Sequence, residues 1–552
     1  MRSFYAFLLL SCLFFSCETP KETADLIITN ATVYTADDVF PKTEAFAIKD
    51  GKFIGIGSNV SVTEAYTAPE IIDATGKTIL PGLIDGHCHF FGLGMNLQIV
   101  NLRGTESFDE VLEKMAAFLS DGQAGAKANP KAIVIRGRGW DQNDWAVKEF
   151  PTKTQLDLLY PDVPVVLERV DGHAYLVNQK ALDMAGITLK TKVNGGEIVR
   201  ENGKLTGILI DNPQGLIDAV MPEVTKNQAV KALMEAQEVC FSYGLTTVND
   251  AGLARGTLDL IQNMQDKGDL KMRIYGMVSN SPANLDHYLN NGIIKTDRLN
   301  VRSVKVYADG ALGSRGAAMK ESYSDKEGHF GAMVTPVSDI NAIAQRIAAA
   351  GYQMNTHAIG DSANVVVLRA YTEALKNIED PRWKVEHAQI VAADDFAMFS
   401  DKVLPSVQPT HATSDMYWAE DRVGADRIKG AYAFKDLLKQ SGRVILGTDF
   451  PVEQVSPFYT FYAAVARKDL KQYPEGGYQM ENALSREETL KGMTIWAAYS
   501  NFEEDEKGSI SPGKFADFVI MDKDIMTVPE DEIPNLKVRA TYVNGEKVYD
   551  QE

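Results

Sequence analysis

Short runs of apolar and β-branched residues alternate with helical patterns along most of the chain, which predicts repeated strand–helix units around a parallel sheet. Candidate strands run into Asp85-Gly86-His87, through Thr246–Asp250, through Arg273-Ile274-Tyr275 and through Val304–Tyr307. Four more precede or contain His357, His387, His411 and Asp449. Eight such strands predict an α/β fold, a (β/α)8 TIM barrel, over residues 81–504. The stretch between the first strand, near residue 89, and the second, near residue 245, is too long for one crossover. An insertion subdomain of about residues 95–240 is therefore expected over the barrel mouth. It carries Gly137-Arg138-Gly139-Trp140-Asp141 and a hairpin pattern from Gly196 to Leu205, with the turn at Asn202-Gly203.

Strand-like texture without helices occurs at both ends, in Leu26-Ile27-Ile28 and Phe53-Ile54-Gly55-Ile56, then again in Ala516–Met521 and Ala540–Val543. Residues 25–80 and 505–552 are expected to pair as one composite β-sandwich domain. The chain begins differently. Arg2 precedes an apolar run from Phe4 to Phe15, too short to span a bilayer but suited to the core of a signal peptide covering residues 1–17. Phe14-Phe15-Ser16-Cys17 resembles a bacterial lipobox, with Cys17 the expected acylation site and Cys12, after Leu9-Leu10-Ser11, the alternative. Residues 18–24 read as a polar tether. The expected location is the cell envelope, as a membrane-anchored lipoprotein on the periplasmic or outer-membrane side, touching the membrane through its lipid only.

At 552 residues the chain has ample length for a barrel of ~250 residues with large additions. A formal net charge of -19 excludes the basic footprint that nucleic acid requires, so the expected partner is a small-molecule substrate, and homodimerisation is compatible with the reading. Beyond Cys17 only Cys88 and Cys240 remain, which allows at most one disulfide.

Six of the eight histidines, His87, His89, His173, His357, His387 and His411, fall at or near predicted strand ends or loops. Barrel enzymes gather active-site residues from the C-terminal ends of several strands, so this scatter along the sequence converges in space. His87 and His89, two apart after Leu80-Pro81-Gly82-Leu83-Ile84-Asp85, point the same way and can grip one metal. Lys305 alternates with Val304 and Val306, so it faces the barrel interior if the valines face the helices. Either it snorkels or pairs with an internal carboxylate, or it is a carboxylated lysine whose carbamate oxygens bridge two divalent metals. His357 and His387 each end a predicted strand, where neutral imidazoles can serve as ligands. Asp449, closing Val444–Thr448, can bind metal and accept a proton from water, or cap the helix that follows Pro451.

The ordered series Asp85-Gly86-His87-Cys88-His89, Lys305, His357, His387 and Asp449 resembles the amidohydrolase superfamily, in its family 3 branch containing N-substituted formamide deformylases. Lys507-Gly508-Ser509-Ile510 and Gly513–Asp517 resemble that family's return from barrel to terminal β-domain. The resemblance implies a first metal on His87, His89 and Asp449, a second on His357 and His387, and Lys305 as bridge, with one or two zinc ions the expected cofactor. It also marks Asp309–Arg315 as a mouth loop, where Arg315 either holds a substrate carboxylate or is structural. His173, Trp140 and His411 are further candidate pocket residues. The implied reaction is hydrolysis of a non-peptide C–N bond, a linear amide or N-formyl group, by metal-activated water, with Asp449 moving the proton. Competing readings are a deaminase or a lactone or ester hydrolase on the same scaffold, or a catalytically silent envelope solute-binding lipoprotein.

Overall fold

The computed structural model describes residues 21–120 and 134–551. The signal segment with Cys12 and Cys17, the start of the tether and part of the insertion lie outside the described residues. The centre of the fold is a parallel sheet of eight strands in chain order: β1 (Leu83–Cys88), β2 (Leu245–Leu253), β3 (Arg273–Ser279), β4 (Leu299–Tyr307), β5 (Gln353–Ala358), β6 (Trp383–His387), β7 (Val403–Val407) and β8 (Ile445–Leu446). The chain just past β8 returns to the first strand, where Asp449 N–H donates to His87 O and His89 N–H donates to Phe450 O, both at 2.8 Å. The sheet thus curls into a nearly closed barrel.

Helices such as Lys226–Ser242, Arg255–Asp266, Val337–Ala349 and Asp361–Ala374 cover the outside. The first of these starts at Thr225, whose side chain caps the Gln228 amide while Gln228 caps Thr225 in return. The apolar sides of β4 (Val304, Val306) and β6 (Trp383, Val385) join the large core between barrel and helices. The opposite sides carry Lys305, Lys384 and Glu386, all buried. Alternation along these two strands therefore sends charge inward and hydrocarbon outward.

Two sheets outside the barrel share a core. Leu26, Ile28, Phe46 and Phe53 of one pack on Ile79, Phe518, Ile520 and Tyr542 of the other, which pairs Thr78–Pro81 with Phe518–Met521 from the far end of the chain. Residues 22 to 24, assigned above to the tether, are held by this part of the fold. Glu22 and Thr23 pair with Tyr66 and Thr67, and Ala24, 1% exposed, donates its N–H to Thr67 O. The short polar composition of that segment hid an edge strand.

Between β1 and β2 a separate six-stranded sheet forms, including Ile135–Trp140, Val165–Arg169, Ala174–Val177, Gly196–Glu201 and Lys204–Asp211. Its last two strands make the hairpin, with Asn202 (φ 49°) and Gly203 (φ 72°) both left-handed as a tight two-residue turn demands. Cys88 and Cys240 are buried free thiols.

Candidate metal centre

The barrel strands and the insertion together enclose a cleft of about 660 Å³. His89, Lys305, His357, His387 and Asp449 line it, and His87 lies beneath, fully buried against Asp449. His87 Nε2 and His89 Nε2 stand 3.6 Å and 3.2 Å from Asp449 Oδ1. The His387 ring is 5.0 Å from His87 and 4.5 Å from His357, centre to centre.

Four of these rings are tied down by one nitrogen. His87 Nδ1 donates to Glu386 Oε2 at 2.6 Å, His89 Nδ1 to Ala251 O at 3.2 Å, His357 Nε2 to Gly310 O at 3.3 Å and His387 Nδ1 to Gln408 Oε1 at 2.7 Å. A proton fixed on that side leaves a lone pair on the other nitrogen, the tautomer a metal ligand needs. Burial lowers the pKa of His87, with Lys305 adding to the effect, and holds His357 and His387 well below the usual histidine range. All three are neutral imidazoles.

Burial alone would raise Glu386, but His87, Lys384 and Lys305 outweigh it and hold the carboxylate at about 2. Lys305 Nζ lies 3.1 Å from His87 Nε2, and burial brings its pKa down to about 8 despite Glu386 and Asp449. Asp449 Oδ2 accepts from His411 Nε2 at 3.3 Å, and His411 Nδ1 reaches Glu453 Oε1 at 3.2 Å. Burial opposes charge on His411, but these two carboxylates prevail and raise it to about 10. Asp449 does not cap the following helix, whose first cap is Ser456. Two residues here hold left-handed backbone, His387 (φ 72°) and Asp449 (φ 61°). Such conformations cost of order 1–3 kcal/mol and persist only where the surroundings enforce them.

The donor set fits a divalent cation. Ligand atoms of His87, His387 and Asp449 all lie within 4.8 Å of one another and are buried, and Asp449 Oδ1 is a buried oxygen without a hydrogen-bond partner among the described residues. Neutral imidazoles beside an ionised carboxylate suit zinc-type metals.

The four candidate pocket residues divide. His173 and His411 line the cleft. Trp140 does not. It is 1% exposed in the insertion's own core, and its Nε1 donates to Leu167 O at 3.0 Å. Arg315 is turned away from the cleft as well, its guanidinium engaged by Asp325 at 2.8 Å and 3.2 Å. Sequence reasoning overlooked Glu386, which sits beside His387 at the inward parity of Lys384, the one available signal. It also overlooked Arg169, fully buried in the insertion and ion-paired with Asp141 and Asp171 at the cleft wall, and Asp211, which holds His173.

Comparison with known proteins agrees with this geometry. The sequence pattern of the amidohydrolase family matches residues 70–549, so the chain belongs to that family. It is 31% identical to the protein LONG AFTER FAR-RED 3 of Arabidopsis thaliana over 95% of this chain and 92% of that one. It is 26% identical to the N-substituted formamide deformylase of Arthrobacter pascens, over 96% of this chain and 98% of that enzyme. Among solved structures, an uncharacterized metal-dependent hydrolase of Pyrococcus horikoshii superposes with a TM-score of 0.73 at 28% identity, covering 92% of this chain and 99% of the other. The protein is a metal-dependent hydrolase of the amidohydrolase family.

Proposed function

We propose that the protein hydrolyses a non-peptide C–N bond, in a linear amide or N-formyl substrate. The observation that carries the reading is the set of four histidines, each fixed by an outer acceptor, gathered with a buried ionised Asp449 in one cleft. His87, His89 and Asp449 would hold one metal, His357 and His387 a second, with Lys305 as a carboxylated bridge and zinc as the metal. A divalent cation there supplies Lewis acidity toward a carbonyl and makes water a nucleophile near neutral pH. Asp449 takes a proton from the attacking water and returns it to the leaving nitrogen, and His411 steadies its second oxygen. The similarity to the deformylase favours an acylated amine as substrate.

The test is metal content per chain for the wild type and a Lys305→Ala variant, followed by a panel of N-formyl and linear amide substrates. About two metals, falling in the variant, together with hydrolysis, support the reading. One metal independent of Lys305 favours a mononuclear deaminase, and neither metal nor turnover favours a solute-binding protein. For the first segment we propose lipoprotein export. Expressed in a bacterium with labelled palmitate, the full chain is expected to take up label that Cys17→Ala abolishes; loss in Cys12→Ala alone would move the site.

A further inference from the structure

One polar pair facing the cleft comes from the insertion and has no part in the reaction described so far. His173 stands at the start of Ala174–Val177 and Asp211 at the end of Lys204–Asp211, two antiparallel strands in which Ala174 faces Ile210. The pairing places the two residues side by side. Asp211 N–H donates to His173 O at 3.0 Å, and His173 Nδ1 donates to Asp211 Oδ1 at 2.7 Å. His173 Nε2 is left with no protein partner among the described residues, on a ring that lines the cleft 5.0 Å from the His357 ring, centre to centre.

The barrel grips this pair through glycines. A Cβ on Gly310 would come within 2.4 Å of Asp211 Oδ2, and so would one on Gly316. Only glycine lets the mouth loop close on the carboxylate. The carbonyl of Gly310 also receives His357 Nε2. A single backbone unit therefore registers the insertion's His–Asp pair against a histidine of the metal centre. Asp211 itself holds left-handed backbone (φ 58°), as expected of a residue pinned on both sides. Arg169, clamped by Asp141 and Asp171, packs against Gly313 of the same loop.

A histidine whose Nδ1–H is given to a carboxylate can hold a second proton on Nε2, because the carboxylate compensates the charge locally, and that Nε2–H, unlike the bare lone pair of a metal ligand, donates to an approaching anion. We propose that His173, positioned by Asp211, binds the oxygen of the reacting acyl group as negative charge develops on it. The inference rests on the hydrolase reading above and assigns to the insertion a direct share in catalysis. His173 is then a catalytic residue and Asp211 a positioning residue.

Methylphosphonate, a tetrahedral oxyanion, is the probe, titrated calorimetrically into the metal-loaded full chain of the wild type, His173→Gln and Asp211→Asn. Metal content and melting temperature are measured on the same samples. Loss of a charge-assisted hydrogen bond is expected to weaken binding about 10- to 100-fold in His173→Gln, and less in Asp211→Asn, with metal content unchanged. Unchanged affinity in His173→Gln, or a wild type that does not bind the probe, overturns the proposal; so does loss of metal in that variant, which would make His173 a ligand. Should His173→Gln fold poorly, the near-isosteric Asp211→Asn decides by the same criterion. A wild type without metal that still binds the probe through His173 sinks the hydrolase reading and leaves the pair standing. Metal with hydrolysis but no dependence on His173 does the reverse.

Discussion

Asp449 and Glu386 are two buried carboxylates with different work. Asp449 faces the cleft with one oxygen unpartnered and the other on His411, whereas Glu386 faces the barrel interior and spends its charge on His87 Nδ1. Asp449→Asn keeps the shape and removes the proposed base, so turnover is expected to fall about 10²–10⁴-fold with the fold intact, checked by steady-state kinetics beside circular dichroism. Retained turnover would remove the assigned role. Glu386→Gln leaves His87 without a charged acceptor and Lys384 Nζ, 3.8 Å from Glu386 Oε1, without its counter-charge. Metal affinity is expected to drop about 10- to 100-fold in a competition titration with a chelator; an unchanged affinity would mean His87 needs no such partner.

At the scale of elements, the barrel and the terminal sheets are locked by a buried pair. Arg273, the first residue of β3, donates from Nε to Asp517 Oδ2 at 2.6 Å and from Nη2 to Asp517 Oδ1 at 3.0 Å, and the Asn544 amide adds a third bond to that carboxylate. Burial opposes ionisation of Asp517, but Arg273 outweighs it and the pKa lies below the usual value. A depressed carboxylate stabilises the folded state above its unfolded pKa, near 4, and that contribution is lost as pH falls through the folded value. Asp517→Asn leaves Arg273 buried without a counter-charge and is expected to cost about 3–5 kcal/mol at neutral pH. The gap between wild type and variant in urea unfolding should narrow as pH drops below about 4; a gap independent of pH would show that charge is not the cause.

For the whole molecule, a cation held by side chains from several barrel strands, as proposed, would bind the folded chain and not the unfolded one. At a free concentration ~100-fold above Kd this adds about 2.7 kcal/mol per site. With an unfolding entropy of ~2.1 cal/mol/K per residue over roughly 530 residues, the melting temperature is expected to rise about 2 °C per site on metal addition and to fall on chelation. No change in calorimetric melting on removing bound metal would contradict a site built across the barrel.

The strand-by-strand alternation and the His87–His89 spacing were legible because each is local, the insertion because the gap after β1 exceeds any single crossover, and the ordered series Lys305, His357, His387 and Asp449 through its resemblance to a known family. A strand's period of two tells which side of a sheet a residue faces, and a barrel brings strand ends together whatever lies between them. Even so, local rules misplace particular residues. Along β6 the inward positions are Lys384 and Glu386, so alternation would turn His387 outward, and its left-handed backbone is what brings the ring to the cleft. Trp140 looked like a pocket residue because an aromatic in a glycine-rich segment is ambiguous until its neighbours are known; the insertion uses it as core. Arg315 sits in the mouth loop, yet Asp325 takes its guanidinium. The pairs Glu386–His87 and Asp211–His173 are 299 and 38 residues apart in sequence. Sequence alone thus determined the strands, the barrel and the chemical types at its mouth, since those depend on near neighbours along the chain. Tertiary structure alone decided which nitrogen of each histidine is free, which carboxylate is left unpaired and which residues of the insertion face the cleft, because hydrogen-bond partners are chosen in space.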